Sequence, residues 1–189
     1  MDAGAAETAV PAKLGFGTER RRHMADTVGF AGRKSCGGHT PRETVSVMTE
    51  LVLPAQANLL GNLLGGQLMH LMDIAGALTC RRHAGTEVAT VSVEGIEFKH
   101  PVHVGEIITV TSRMIWAGRT SMKVCIEVGA EDIREQTSIL TNTAYFTFVA
   151  LGDDGRPTPV PPLLPQTEEE KKLFAREQHL YEEKKAKRR

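Results

Sequence analysis

The run Leu64-Gly-Gly-Gln-Leu-Met-His-Leu-Met-Asp-Ile-Ala-Gly-Ala-Leu-Thr-Cys80 limits the possible folds more than any other part of the chain. Apolar or small residues occupy nearly its whole circumference at helical spacing, so it reads as a helix buried on several sides. The chain beyond it reads as strand. Met122, Val124, Ile126 and Val128 alternate with Lys123, Cys125, Glu127 and Gly129, the period of a half-buried strand. Ile108, Val110, Met114 and Trp116 share a face of the strand before it, and Ala89–Lys99 and Asn142–Leu151 complete the set. Val45–Leu53 supplies a strand ahead of the helix. One antiparallel sheet must wrap the helix, because nothing else is apolar enough to cover it. The expected class is α+β.

Around this compact segment, 45–151, the chain changes character. Residues 1–44 show no sustained apolar period and read as a disordered leader. Pro157, Pro159, Pro161, Pro162 and Pro165 mark residues 152–166 as an extended linker. Residues 167–189 read as a charged helix opened by a Thr167/Glu170 capping box. Leu173, Phe174, Leu180 and Tyr181 form its narrow apolar stripe, its charges read as a solvated face, and its basic end, from Lys184, is suited to an anion.

Several function classes are disfavoured. With 23 basic and 23 acidic side chains the net charge is zero, unlike a general nucleic-acid binder. No apolar stretch is long enough for a membrane span. Cys36, Cys80 and Cys125 are scattered and odd in number, which argues against a disulfide framework or zinc site and for a reducing compartment. Arg20, Arg21, Arg22 and Arg33 are mixed with Asp2, Glu7, Glu19 and Asp26, and a mitochondrial leader is usually poor in acids. A cytoplasmic location is expected. GxSxG, HExxH, P-loop and dinucleotide motifs are absent from the sequence.

The chemistry concentrates on the helix. Asp73 is the only formal charge in the run, and burying a carboxylate is costly unless it is bonded or protonated. Gly65-Gly66 at the helix start would let a ligand approach bare N–H groups where the dipole favours negative charge. A donor site with a carboxylate nearby is what acyl hydrolysis requires. At ~1.5 Å per residue, however, Gly66 and Asp73 lie roughly 10 Å apart along one helix. If they serve one carbonyl, two chains must pair their helices. Each feature also has a plain structural reading: a tight turn for the glycines, a polar edge for Asp73.

Asn58 through Asp73 resembles the signature of the hotdog-fold acyl-CoA hydrolases, the branch holding the cytosolic brain-type enzymes and bacterial single-domain relatives. The likeness continues in Arg82–Gly85, Thr90–Val93, Phe98–Val102, Val104-Gly105, Gly118–Ser121 and Tyr145–Ala150, and in the tail at Pro159–Pro161 and Thr167–Lys172. It implies a sheet wrapped round a central helix, a dimer built up into a trimer of dimers, and hydrolysis of fatty acyl-CoA without metal or organic cofactor. By that resemblance Asp73 is the general base, Gly66 N–H polarises the carbonyl and Asn62 orients water or substrate. A covalent anhydride through Asp73 is the other route. Val91, Ser92 and Val93 match the strand along which pantetheine runs, and Arg119, Thr120, Ser121 and Met122 match the turn that meets the nucleotide. Arg119 beside two hydroxyls also suits phosphate. The alternatives are a non-catalytic acyl-CoA sensor, which needs no base, and a hotdog hydratase, whose Asp/His arrangement is not evident.

Overall fold

The structure is a computed structural model that describes residues 37–187. Strand β1 (Ser46–Leu51) precedes helix α1 (Gly65–Ala84), and β2 (Glu87–Glu94), β3 (Ile107–Ala117), β4 (Ser121–Asp132) and β5 (Thr137–Leu151) come after it. Helix α2 (Glu168–Ala186) closes the chain. The strands form one antiparallel sheet in the order β1-β3-β4-β5-β2, so β1 and β2 are its edges.

Helix α1 lies on the inner face of the sheet through Leu68, Leu71, Met72, Ala75, Gly76, Thr79, Cys80 and His83, alternating steps of three and one. Beneath it Met122, Val124, Ile126, Val128, Phe146 and Phe148 are almost fully buried, confirming the period-two reading of β4. The closest approach is at Gly76, where a Cβ would sit 2.8 Å from the Phe148 ring. Any larger residue would push the helix off the sheet.

Two expectations for α1 change. It runs past Cys80 to Ala84 and ends at Gly85, whose φ of 70° suits a glycine cap. Arg82 explains the extra turn: it donates to the Val45 carbonyl O at 2.6 Å and to Ser46 Oγ at 2.8 Å, tying the helix end to β1. The helix is also covered on one face rather than all round. Gln67, Met69, His70 and Leu78 are exposed, with Asp73, Ile74 and Ala77 half-buried among them. An apolar face without a cover in one chain accounts for the apolar circumference seen in the sequence.

The flanking segments also differ from their sequence reading. Of the proposed leader, residues 1–36 lie outside the described residues, but 37–44 pack onto the fold. Pro41–Thr44 forms a short 3-10 turn with Pro41 and Thr44 buried. The proline-rich segment is a strap rather than a free spacer. Leu163 is buried, Val160 N donates to the Arg119 carbonyl, and His39 N and Leu164 N bond across between the two segments.

The Thr167/Glu170 capping box forms, with each side chain accepting from the other residue's backbone N–H. The charges of α2 are not all solvated, however. Glu177 is buried and bonds Lys123 Nζ at 2.7 Å, and Glu94 bonds the same ammonium at 2.8 Å. Burial alone would lower the Lys123 pKa, but the two carboxylates outweigh it and hold it above the ordinary lysine value. Tyr181 rests on Trp116 with ring centres 4.9 Å apart, and Trp116 Nε1 donates to Gln178.

Candidate active site

Asp73 projects from the outward face of α1, half-buried rather than deep in the core. Thr90 Oγ1 on β2 donates to its Oδ1 at 2.6 Å. The carboxylate is therefore held by the neighbouring edge strand, and its second oxygen carries no bond from Thr90. Bonded and partly open to solvent, it escapes the cost of a lone buried carboxylate that the sequence had raised.

At the helix N-terminus the two glycines differ. A Cβ on Gly65 would lie 3.2 Å from the Phe98 ring, so this glycine permits close packing. A Cβ on Gly66 would meet nothing within 4 Å. The first helical bond runs from Leu68 N to Leu64 O, and the N-cap Leu64 supplies no side-chain acceptor. The N–H groups of the first turn thus remain donors for a ligand. Gly66 and Asp73 are seven residues apart on one straight helix, roughly 10 Å at ~1.5 Å per residue.

Asn62 sits just before this turn, half-buried, with its Oδ1 buried and unpartnered among the described residues. Asn58 organises the loop: its Oδ1 accepts from Leu60 N at 2.9 Å and Asn62 N at 3.1 Å, bonds in which its Nδ2 takes no part. Neither Asn58 nor Thr90 stood out as a site residue in the sequence, although both lie inside the motifs that carry the resemblance. Their signal is a contact or a turn, not a residue pattern.

The CoA candidates fall on two neighbouring places. Val91, Ser92 and Val93 lie on edge strand β2 beyond a bulge after Thr90, with Val91 and Val93 exposed. Arg119 is exposed on the β3–β4 turn, with Thr120 and Ser121 half-buried beside it. Ser121 pairs with Val149, which pairs with Ala89, so turn and strand end are two strands apart, about 10 Å. Met122 differs: its side chain is wholly buried in the core, so only its backbone could meet a ligand.

Other reactive groups are poorly placed. Cys80 is wholly buried, and burial pushes its thiol well above the ordinary value. Burial, chiefly, raises Cys125 too. Among the described residues no group of three or more His, Cys, Asp or Glu side chains could hold a metal, and no helix is long and apolar enough to cross a membrane.

A sequence profile of the Thioesterase superfamily matches residues 60–137. A hexameric acyl-CoA thioesterase superposes with a TM-score of 0.74 at 33% identity, over 80% of this chain and 97% of that one. The chain belongs to the acyl-CoA thioester hydrolases of the thioesterase superfamily. A Staphylococcus aureus acyl-CoA hydrolase, solved with butyryl-CoA and CoA, matches with a TM-score of 0.70 at 31% identity, over 79% and 91% of the two chains. The cytosolic acyl-CoA thioester hydrolase of Rattus norvegicus is 37% identical over 145 residues, 76% of this chain but 38% of that longer enzyme. The fold of the family is the hotdog, a sheet wrapped round a central helix, as expected from the sequence. The S. aureus enzyme was also solved with an asparagine, an aspartate and a threonine each replaced by alanine.

Proposed function

We propose that this hotdog protein hydrolyses acyl-CoA to free acid and CoA at a site shared by two chains, with Asp73 as general base. The observation that carries this reading is the Thr90–Asp73 bond, which fixes a carboxylate on the helix face left uncovered in a single chain. In order and spacing, Asn58, Asp73 and Thr90 reproduce the three residues replaced in the S. aureus enzyme, at intervals of 15 and 17. This adds Thr90 to the site and favours Asn58, beside Asn62, as the asparagine that orients water or substrate.

The steps follow from charge. Gly66 N–H, at the positive end of α1, donates to the thioester oxygen as it gains negative charge. Asp73 from the facing chain takes a proton from water as the water attacks the carbonyl carbon. Collapse of the tetrahedral intermediate expels the CoA thiolate, a good leaving group near neutral pH. Water, base and donor complete the reaction, so it requires no cofactor.

Pairing of chains is supported by edge strand β2, which exposes Val91 and Val93, next to exposed Met69 and Leu78 on α1. Antiparallel α1 helices across a two-fold would place each Asp73 near the other Gly66. The hexameric relative supports a higher assembly, a trimer of dimers in this reading. Pantetheine would run along β2 and the nucleotide phosphates would meet Arg119. A cytoplasmic location fits the cytosolic relative.

The test is free-thiol release from butyryl- and palmitoyl-CoA. Wild-type protein releases thiol from at least one, and Asp73→Asn lowers kcat by ~10²-fold or more while keeping fold and assembly. Near-normal turnover by folded Asp73→Asn removes Asp73 from the mechanism.

A further inference from the structure

A cavity of about 280 Å3 borders the helix N-terminus, between the loop before α1, the segment after β2 and the inner face of β5. Leu63, Leu68, Phe98 and Val102 give it apolar walls, and its size lies near the lower end of small-ligand sites, ~300–1,000 Å3. Two side-chain oxygens on its lining residues break this apolar character. Asn142 is 1% exposed, and its Nδ2 donates to the Glu97 carbonyl at 2.6 Å, which sets the orientation of the amide. Its Oδ1 is therefore a buried acceptor with no partner among the described residues, and Asn62 Oδ1 is another.

A buried acceptor left unpaired is costly, so such groups are normally met by a donor. A plain hydrocarbon chain in this cavity would leave both oxygens unpaired. A chain bearing a hydroxyl would satisfy one while its carbons filled the apolar walls. Resting on the hydrolase reading above, we infer that the cavity is the acyl subsite and that Asn142 selects short acyl chains carrying a hydroxyl donor. A site built around a buried acceptor discriminates against the analogue lacking the donor, whereas an apolar pocket barely discriminates against an added methylene.

The experiment compares kcat/KM for butyryl-CoA with 3-hydroxybutyryl-CoA and 4-hydroxybutyryl-CoA, and for hexanoyl-CoA with 3-hydroxyhexanoyl-CoA. At least one hydroxyacyl thioester is expected to exceed its unsubstituted partner by about tenfold, the worth of one neutral hydrogen bond. In Asn142→Leu and in Asn142→Thr that ratio falls towards one. Because both substrates are assayed on one sample, the ratio is independent of how much of a variant folds. Hydrolysis with all wild-type ratios near one overturns the inference and leaves the hydrolase reading intact. It would mean that water or a pantetheine amide meets these oxygens whatever the acyl group. A preference that persists in either folded variant removes Asn142 as its source. If no thioester in the panel is hydrolysed, the hydrolase reading and this inference fall together.

Discussion

Thr90 on the edge strand donates to Asp73 on the central helix at 2.6 Å, across 17 residues of chain. The bond joins the two elements that face a second chain, and it holds the carboxylate in one orientation. Thr90→Val keeps the shape and removes the donor. It is expected to lower kcat for acyl-CoA hydrolysis by roughly tenfold, less than the ~10²-fold of Asp73→Asn, because it disturbs the base without deleting it. Thr90→Ser restores the donor and should recover most of the loss. Steady-state kinetics of the three variants decide it, and an unimpaired Thr90→Val would make the bond incidental.

His83 predicts a pH dependence of stability. It is 1% exposed, with Nε2 2.8 Å from the Pro161 carbonyl oxygen, and so fastens α1 to the proline strap. Burial lowers its pKa below the ordinary 6.5, the Pro161 bond opposes this, and His39 nearby lowers it further. The unfolded chain therefore takes up the proton first as pH falls. The stabilising contribution is complete above about 6.5 and declines as pH drops from there towards the lowered folded-state value. Melting temperature should fall between pH 7.5 and 5.5, and that of His83→Gln should fall less over the same range. Parallel slopes would exclude His83 as the sensor.

Much of this fold was legible because burial imposes a period. The alternation of β4 and the apolar run of α1 mark the core directly, and the capping box marks the start of α2. Features that depend on contacts between distant residues were not legible. The last turn of α1 is basic and looks like a helix already finished, until Arg82 is seen to bond the start of β1. Lys123 alternates onto what reads as the solvent face, yet α2 covers it with Glu177 from 54 residues away. At the site, Asp73 and Gly66 could be picked out as exceptions within one helix. Thr90 could not, because a threonine in a strand is ordinary until its hydroxyl is seen against Asp73.

The Lys123–Glu177 pair should govern how firmly α2 is held. The Lys123 and Glu177 side chains are 10% and 3% exposed. Lys123→Met would leave Glu177 buried with Arg176 as its remaining cation, and loss of one partner from such a pair costs about 3 kcal/mol. Replacing both, Lys123→Met with Glu177→Leu, should recover most of that, since no unpaired charge is left behind. Urea unfolding of the single and double variants measures the difference. A single variant as stable as wild type would show that the pair does not fasten the helix.

The shared site makes the strongest demand on the assembly, because Gly66 and Asp73 are too far apart on one helix to serve one carbonyl. Asp73→Asn and Gly66→Val should each be inactive, the first lacking the base and the second blocking the donor. Gly66 is suitable for this purpose because its φ is not in the left-handed region and an added Cβ meets nothing within 4 Å. A side chain there would enter the space where a ligand approaches without straining the fold. When the two variants are mixed under conditions that exchange subunits, half the dimers contain one chain of each kind. In such a dimer one site combines intact Asp73 with intact Gly66 from opposite chains, and the other site combines both defects. Equal mixing should therefore restore roughly a quarter of wild-type activity. The measurement needs two controls: each variant must fold, and exchange must be shown, for instance by mass-tagged chains co-eluting in one assembly. With both satisfied, no return of activity would place the base and the donor within one chain, and the distance along α1 would then have to be bridged by another residue.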